Sequence, residues 1–223
     1  MKFDKNLSIN RYIWAGNIIE MLSKNRSEAS SLTDIGGRDG ALKDYCDPLS
    51  VNYRGFDLEP MGEACRKWNI EQPFPYTDPK ADIVTLLEVV EHLTNPWLGM
   101  KNLAEHLNPG GYLLLTTPNP SWSNSRINLL MKGVLSCFSQ KDLDLNHHVF
   151  TPWPHILEKM LFDNGLKPIE AVTLDGRTQM FAKPLSPARF PLQFGFRSLK
   201  KMIEGMDPSS CGMSYAVLAQ KIR

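Results

Sequence analysis

Ser30-Ser31-Leu32-Thr33-Asp34-Ile35-Gly36-Gly37-Arg38-Asp39-Gly40 is a short apolar run that ends in an aspartate and a glycine cluster. That order predicts a buried strand feeding a tight turn, because glycine tolerates backbone conformations and close approaches that other residues do not. The next apolar run, Val51-Asn52-Tyr53-Arg54-Gly55-Phe56-Asp57-Leu58, predicts a second strand that ends at an acid 17 residues after Gly40. An acid there can accept hydrogen bonds from both hydroxyls of a ribose lying across the carboxyl ends of the strands.

Outward from this pair, strand and helix signals alternate. Lys67-Trp68-Asn69-Ile70-Glu71 reads as a short third strand. Ala81-Asp82-Ile83-Val84-Thr85-Leu86-Leu87-Glu88-Val89 is almost continuously apolar, as expected of a central parallel strand covered on both faces. A helix follows over 96–107, started by Asn95-Pro96 and stopped by Asn108-Pro109-Gly110-Gly111, and then a strand over 111–119. Upstream, residues 9–24 read as a helix capped by Ser8. Downstream, a helix is expected over 152–164, a strand over 168–174 and a last strand in Ser214-Tyr215-Ala216-Val217-Leu218-Ala219-Gln220-Lys221-Ile222. The alternation predicts an α/β class with a parallel sheet. Two segments, about 120–146 and 177–212, carry no clear sheet signal and exceed ordinary connections, so they read as lid-like insertions in a single domain spanning 1–223.

Composition bounds the partners. The 223 residues hold 25 Lys+Arg against 24 Asp+Glu, which argues against disorder and against a broad duplex-wrapping surface. Cys46, Cys65, Cys137 and Cys211 are scattered without a C-x-x-C pair, arguing against a zinc site or a disulfide scaffold and for a reducing, cytoplasmic compartment. The first ten residues lack the apolar core of a secretory signal, and no apolar run approaches the roughly 18–20 residues of a membrane span.

After the glycine turn and Asp57, four motifs in order carry a resemblance: Asn69-Ile70, Asp82-Ile83-Val84-Thr85-Leu86-Leu87-Glu88-Val89-Val90-Glu91-His92-Leu93, Leu107-Asn108-Pro109-Gly110-Gly111-Tyr112-Leu113-Leu114-Leu115-Thr116-Thr117-Pro118-Asn119, and His147-His148-Val149-Phe150-Thr151-Pro152 ahead of a helix. The series resembles the class I S-adenosylmethionine-dependent methyltransferases, in the branch with an E-V-x-E-H-L signature. That resemblance implies a Rossmann-like, seven-stranded, mainly parallel sheet with helices on both faces and an antiparallel last strand. It implies S-adenosylmethionine as cofactor and a small-molecule or saccharide acceptor, with methyl transfer to oxygen.

Residue by residue, Asp34, Gly36 and Gly40 match the turn that meets the amino-acid end of the cofactor. Asp57 matches the ribose acid, and Leu58 would pack on the adenine. Asn69 matches the acceptor for the adenine amine, while Ile70 would offer its backbone N–H. Glu88 and Val89 would lie beside the methionine portion. Three of these residues also have ordinary uses: Asp57 and Asn69 as turn residues, Glu88 at the start of a helical turn.

Arg38 stands where the family pattern carries glycine. Either its backbone is ordinary and its side chain turns outward, or its guanidinium pairs with the cofactor's carboxylate. The departure also admits a non-catalytic interaction protein that has lost the cofactor.

A hydroxyl acceptor needs a base with a pKa near working pH, which favours histidine. His147 or His148 is the expected base, and His92 is a candidate for substrate contact. Glu88, Glu91 and His92 with the pair His147-His148, some 55 residues on, also resemble the metal set of RNA 3′-terminal 2′-O-methyltransferases. No metal is assigned, because the E-V-x-E-H core is shared with metal-free relatives and no basic tract accompanies it. A nicotinamide dehydrogenase would share the glycine turn and Asp57, but not the E-V-V-E-H-L segment. Trp122, Phe138, Trp153, Phe181, Phe190, Phe194 and Phe196 would either line a lid or pack the insertions down. The basic, aromatic stretch Arg189–Arg197 with Lys200 and Lys201 suggests a weak membrane-surface contact.

Overall fold

The computed structural model describes residues 1–24, 30–175 and 190–222. In chain order the elements are β1 (Lys5–Leu7), α1 (Arg11–Lys24), β2 (Ser31–Ile35), α2 (Lys43–Cys46), β3 (Asn52–Asp57), β4 (Cys65–Lys67), β5 (Ala81–Leu87), α3 (Pro96–His106), β6 (Leu107–Pro118), α4 (Ser123–Lys132), α5 (Gln140–Asn146), α6 (Pro154–Asp163), β7 (Leu166–Leu174), α7 (Phe190–Met206) and β8 (Ser214–Lys221).

The strands form one sheet in the order β1-β7-β8-β6-β5-β2-β3-β4. β8 runs antiparallel to both its neighbours, and every other pair is parallel. The Rossmann-like α/β expectation holds with one correction: the sheet has eight strands, not seven. The extra strand is β1, an edge piece of three residues anchored where the Asp4 amide donates to the Ala171 carbonyl at 2.9 Å.

The sheet is covered on both faces because its central strands are apolar on both. On one side Ile35, Phe56, Leu86, Leu115 and Val217 pack against Met100 and Leu103 of α3 and Leu157 and Leu161 of α6. On the other, Leu32, Ile83, Leu114 and Leu218 pack against Trp14, Ile18 and Ile19 of α1 and Cys46 of α2. Each fully buried aliphatic side chain contributes about 1.5–3 kcal/mol, so these two layers fix the positions of the strand ends.

Local chemistry sets the helix starts. The Asn95 carbonyl oxygen of the side chain accepts from Leu98 N at 3.2 Å, and Pro96 occupies the first turn, as expected. Helix α1 starts later than expected and is capped by Asn10, not Ser8: Asn10 Oδ1 accepts from Ile13 N at 3.0 Å. The third strand lies two residues upstream of its expected place, leaving Asn69 and Ile70 just beyond it. The first insertion folds as two helices, α4 and α5, and the described part of the second as α7. Among the described residues, no helix is long and apolar enough to cross a membrane.

Candidate functional site

The chain leaves β2 toward β3 on one side, while β5 lies on the other. A crevice therefore opens beyond the carboxyl ends of β2, β3 and β5, the usual ligand position in open α/β sheets. It forms a cleft of about 820 Å³.

The glycine turn makes its floor. Gly36 N and Gly37 N both donate to the Phe56 carbonyl, at 2.8 and 3.1 Å. Gly36 has φ +81°, and a Cβ there would lie 2.3 Å from a methyl of Val89. Only glycine lets this turn fold down against Val89. Gly40, also at positive φ, lies outside the lining and packs on Ala64.

Asp34 does not line the cleft. It is buried beneath the turn, accepting from Thr85 Oγ1 at 2.6 Å and from the Tyr53 hydroxyl at 2.9 Å. Burial pushes its carboxyl above the usual range despite those donors. It braces the turn from below.

Arg38 adopts φ +47°, so the expectation of an ordinary backbone there is corrected. The side chain is exposed, with Nε donating to Met61 Sδ at 3.0 Å. The turn is held in this conformation by Asp57, whose Oδ2 accepts from Arg38 N at 2.9 Å and whose Oδ1 accepts from Glu59 N at 2.8 Å. Each carboxylate oxygen keeps a further lone pair, and Asp57 lines the cleft beside Leu58. Asp57 is thus both a turn clasp and a cleft acceptor.

Asn69 and Ile70 also line the cleft. Asn69 Oδ1 accepts from Glu71 N at 2.9 Å, and the Ile70 carbonyl accepts from Asn102 Nδ2 at 2.7 Å, which fixes the wall to α3.

At the end of β5, Glu88 has φ +57° and lines the cleft with Val89. Its Oε1 is enclosed without a hydrogen-bond partner. Burial pushes its carboxyl up, while the Arg11 guanidinium opposes that shift. Glu91 is 1% exposed and accepts from Thr117 Oγ1 at 3.0 Å. Burial, and then the charge of Glu88, hold its carboxyl well above the usual range.

The Glu91 carbonyl accepts from both Val149 N and Phe150 N at 3.0 Å. This double contact carries His147 and His148 across to the end of β5. The His92 and His148 rings meet edge to face at 4.9 Å between centroids. His148 Nδ1 lies 2.6 Å from the Cys137 carbonyl, which can only accept, so Nδ1 carries the proton and Nε2 is the free nitrogen. His92 lies 3.9 Å from Glu91 Oε1, and burial, then His148, lower its pKa. His147, at φ +55° after α5, lines the cleft; His148 does not. Donor atoms of Glu91, His92 and His148 all lie within 4.8 Å of one another. Glu88 and His147 stand outside that group.

Sequence reasoning missed Arg11 and Tyr12, which reach the cleft from the start of α1. The Arg11 guanidinium sits 4.9 Å over the Tyr12 ring, and its Nε is enclosed without a partner. A polar pair at a helix start gives no periodic signal; only the packing of α1 over β5 brings it here. None of the aromatic residues expected in a lid lines the cleft among the described residues. Trp122 is packed down, and Trp153 lines a separate cavity of about 580 Å³. Phe181 and Arg189 lie outside the described residues, as do the side chains of Phe190 and Phe194.

A family model described as a methyltransferase domain matches residues 7–171. Among solved structures, a SAM-dependent methyltransferase from Archaeoglobus fulgidus superposes with a TM-score of 0.61 at 18% identity, covering 94% of each chain. The plantazolicin methyltransferase BamL, solved with a triazolic desmethylPZN analogue and SAH, gives 0.59 at 16% identity over 96% of this chain and 85% of its own. An S-adenosylmethionine-dependent methyltransferase from Mesorhizobium loti gives 0.54 at 10% identity over 94% and 99%. No curated protein matches the sequence.

Proposed function

This chain belongs to the methyltransferase-domain family, as an enzyme of the S-adenosylmethionine-dependent class, and from that premise we propose that it methylates a hydroxyl of a small-molecule or saccharide acceptor. The observation that carries the reading is the cleft itself, lined by Asp57 and by the imidazoles of His92 and His147.

The residues fit the cofactor. The surface over Gly36 is a cradle that a Cβ would fill, Asp57 keeps acceptor capacity on both oxygens, and Glu88 holds an enclosed, unpartnered oxygen. Asp57 would hold the ribose hydroxyls, Leu58, Asn69 and Ile70 the adenine, and Gly36, Arg38 and Glu88 the amino-acid end, with Arg11 near enough to meet a carboxylate. Gly40 and Asp34 would act by shaping the turn. When bound, S-adenosylmethionine supplies a methyl carbon already activated by the sulfonium.

The protein's remaining work is alignment and proton removal. The acceptor oxygen must be held about 3–3.5 Å from the methyl carbon, in line with its bond to sulfur. His147, on the cleft wall, would take the acceptor's proton. His148, fixed on the Cys137 carbonyl, would orient His92 rather than act as the base. We place the reaction in the cytoplasm, a reading supported by four unpaired cysteines. A labelled-methyl transfer assay across sugar and small hydroxyl acceptors tests the proposal. Label on an oxygen supports it; label only on nitrogen or carbon acceptors refutes the oxygen assignment.

A second reading rests on the grouping of Glu91, His92 and His148. These side chains would hold a divalent cation beside an acceptor diol such as an RNA 3′ end. Activity on RNA ends that chelators abolish, with a steep salt dependence, would favour it over the first.

A further inference from the structure

Seven of the twenty large exposed apolar side chains among the described residues fall between positions 129 and 149. Such residues scattered singly need no explanation, but a concentration of this kind does. Leu129, Leu130 and Met131 are successive residues in the last turn of α4, 47%, 77% and 72% exposed. At about 100° per residue they make the helix end apolar over most of its circumference. Gly133, at φ +74°, closes the helix with its N–H on the Leu129 carbonyl, and a Cβ there would meet nothing within 4 Å. The end therefore stands clear of the body. Val134, Leu143, Leu145 and Val149, further along the chain, are exposed as well, and His147 among them lines the cleft.

Charge follows the same elements. From Ser123 to Asn146 and along α7, six basic residues (Arg126, Lys132, Lys141, Arg197, Lys200 and Lys201) stand against three acidic ones, Asp142, Asp144 and Glu204. The chain's totals are 25 and 24, so the remainder is acidic. Helix α7 joins this surface by packing on α4, through Ser123 Oγ on Glu204 at 2.7 Å and the Arg126–Asp207 pair. Lys132, Lys141 and Lys201 are exposed.

We infer that the tip of α4 docks the protein on an anionic lipid bilayer, inserting Leu129, Leu130 and Met131 among the headgroups with Lys132 at the interface. A protein groove reads one face of a helix. A helix end that is apolar on several sides and closes on an exposed lysine, Lys132, suits a fluid surface that closes round it. The contact moves the expected membrane surface from the stretch beginning at Arg189 to the first insertion. It would also put the mouth of the cleft beside the bilayer.

The test is vesicle flotation of the full chain, with Leu130→Asp/Met131→Asp as the variant. Both sites are more than 70% exposed, so folding should survive, and S-adenosylhomocysteine affinity checks that separately. The wild type should float with phosphatidylcholine/phosphatidylglycerol vesicles at least tenfold more than with phosphatidylcholine alone. The double variant should lose at least tenfold of that binding, with cofactor-product affinity unchanged. No flotation of the wild type, or equal flotation of the variant, overturns the proposal. So does self-association through this patch, seen as a dimer in sedimentation that the variant abolishes without any vesicle binding. None of these outcomes bears on methyl transfer, so the two readings stand or fall separately.

Discussion

The carboxylate of Asp57 accepts the backbone N–H of Arg38 at 2.9 Å, so the acid that ends β3 also holds the non-glycine residue of the glycine turn at positive φ. One side chain thereby shapes the turn and lines the cleft. Asp57→Ala should weaken S-adenosylhomocysteine binding by about tenfold or more, since each charge-assisted hydrogen bond contributes about 1.5–3 kcal/mol. Thermal stability should fall as well, because the turn loses its clasp. Calorimetry and a melting curve on the same sample read both; unchanged affinity would remove the ribose assignment.

Arg38→Gly should stabilise the fold by about 1 kcal/mol, because glycine occupies the left-handed region without the steric cost an arginine carries. The Arg38 N–H bond to Asp57 survives the change. Denaturant unfolding measures the gain, and a loss would mean that the contact with Met61 outweighs the strain.

Gly36→Ala should abolish measurable cofactor-product binding, since the added methyl collides with Val89 at a backbone angle alanine resists. Val89→Ala in the same chain should recover part of the stability but little of the affinity. Full recovery of binding would show that the cradle over Gly36 is not needed.

Glu88→Gln should change how stability depends on pH. The folded-state pKa of Glu88 is raised above its ordinary 4.5, so the folded chain keeps a proton that the unfolded chain releases. The wild type therefore loses stability as pH rises from about 4.5 through the raised value, while glutamine has no proton to lose. The variant should gain on the wild type as pH rises above about 4.5. A difference that does not grow as pH rises above about 4.5 contradicts the upward shift of Glu88.

His147→Ala should lower kcat by about 10²–10⁴, with cofactor-product affinity unchanged. His148→Ala should cost about 1 kcal/mol of stability through the lost bond to Cys137, and lower the rate less. If His148→Ala is the more damaging to kcat, the roles are reversed.

Much of this architecture is legible in the chain. The unbroken apolar run Ala81–Leu87 announces a strand covered on both faces, and Asp57, Asn69 and Glu88 are readable as residues at or just past strand ends. Strand β1 is not legible, because three edge residues carry no alternation. Helix α7 is masked by its own punctuation: Pro191 sits in its first turn, where a helix tolerates proline, and Pro208 lies beyond its end. Arg11 reaches the cleft only through packing of α1 against the sheet. Asp34 reads the same in sequence whether it faces a ligand or a buried tyrosine; its partners Tyr53 and Thr85 come from neighbouring strands.

The most direct measurement is calorimetric titration of the ligand-stripped protein with S-adenosylhomocysteine, with and without Mg²⁺. A single site with near-micromolar affinity, weakened at least tenfold by Asp57→Ala, is the expected result. Absence of binding to the wild type would contradict it, and would mean that the Arg38 turn marks a cleft that no longer takes the cofactor.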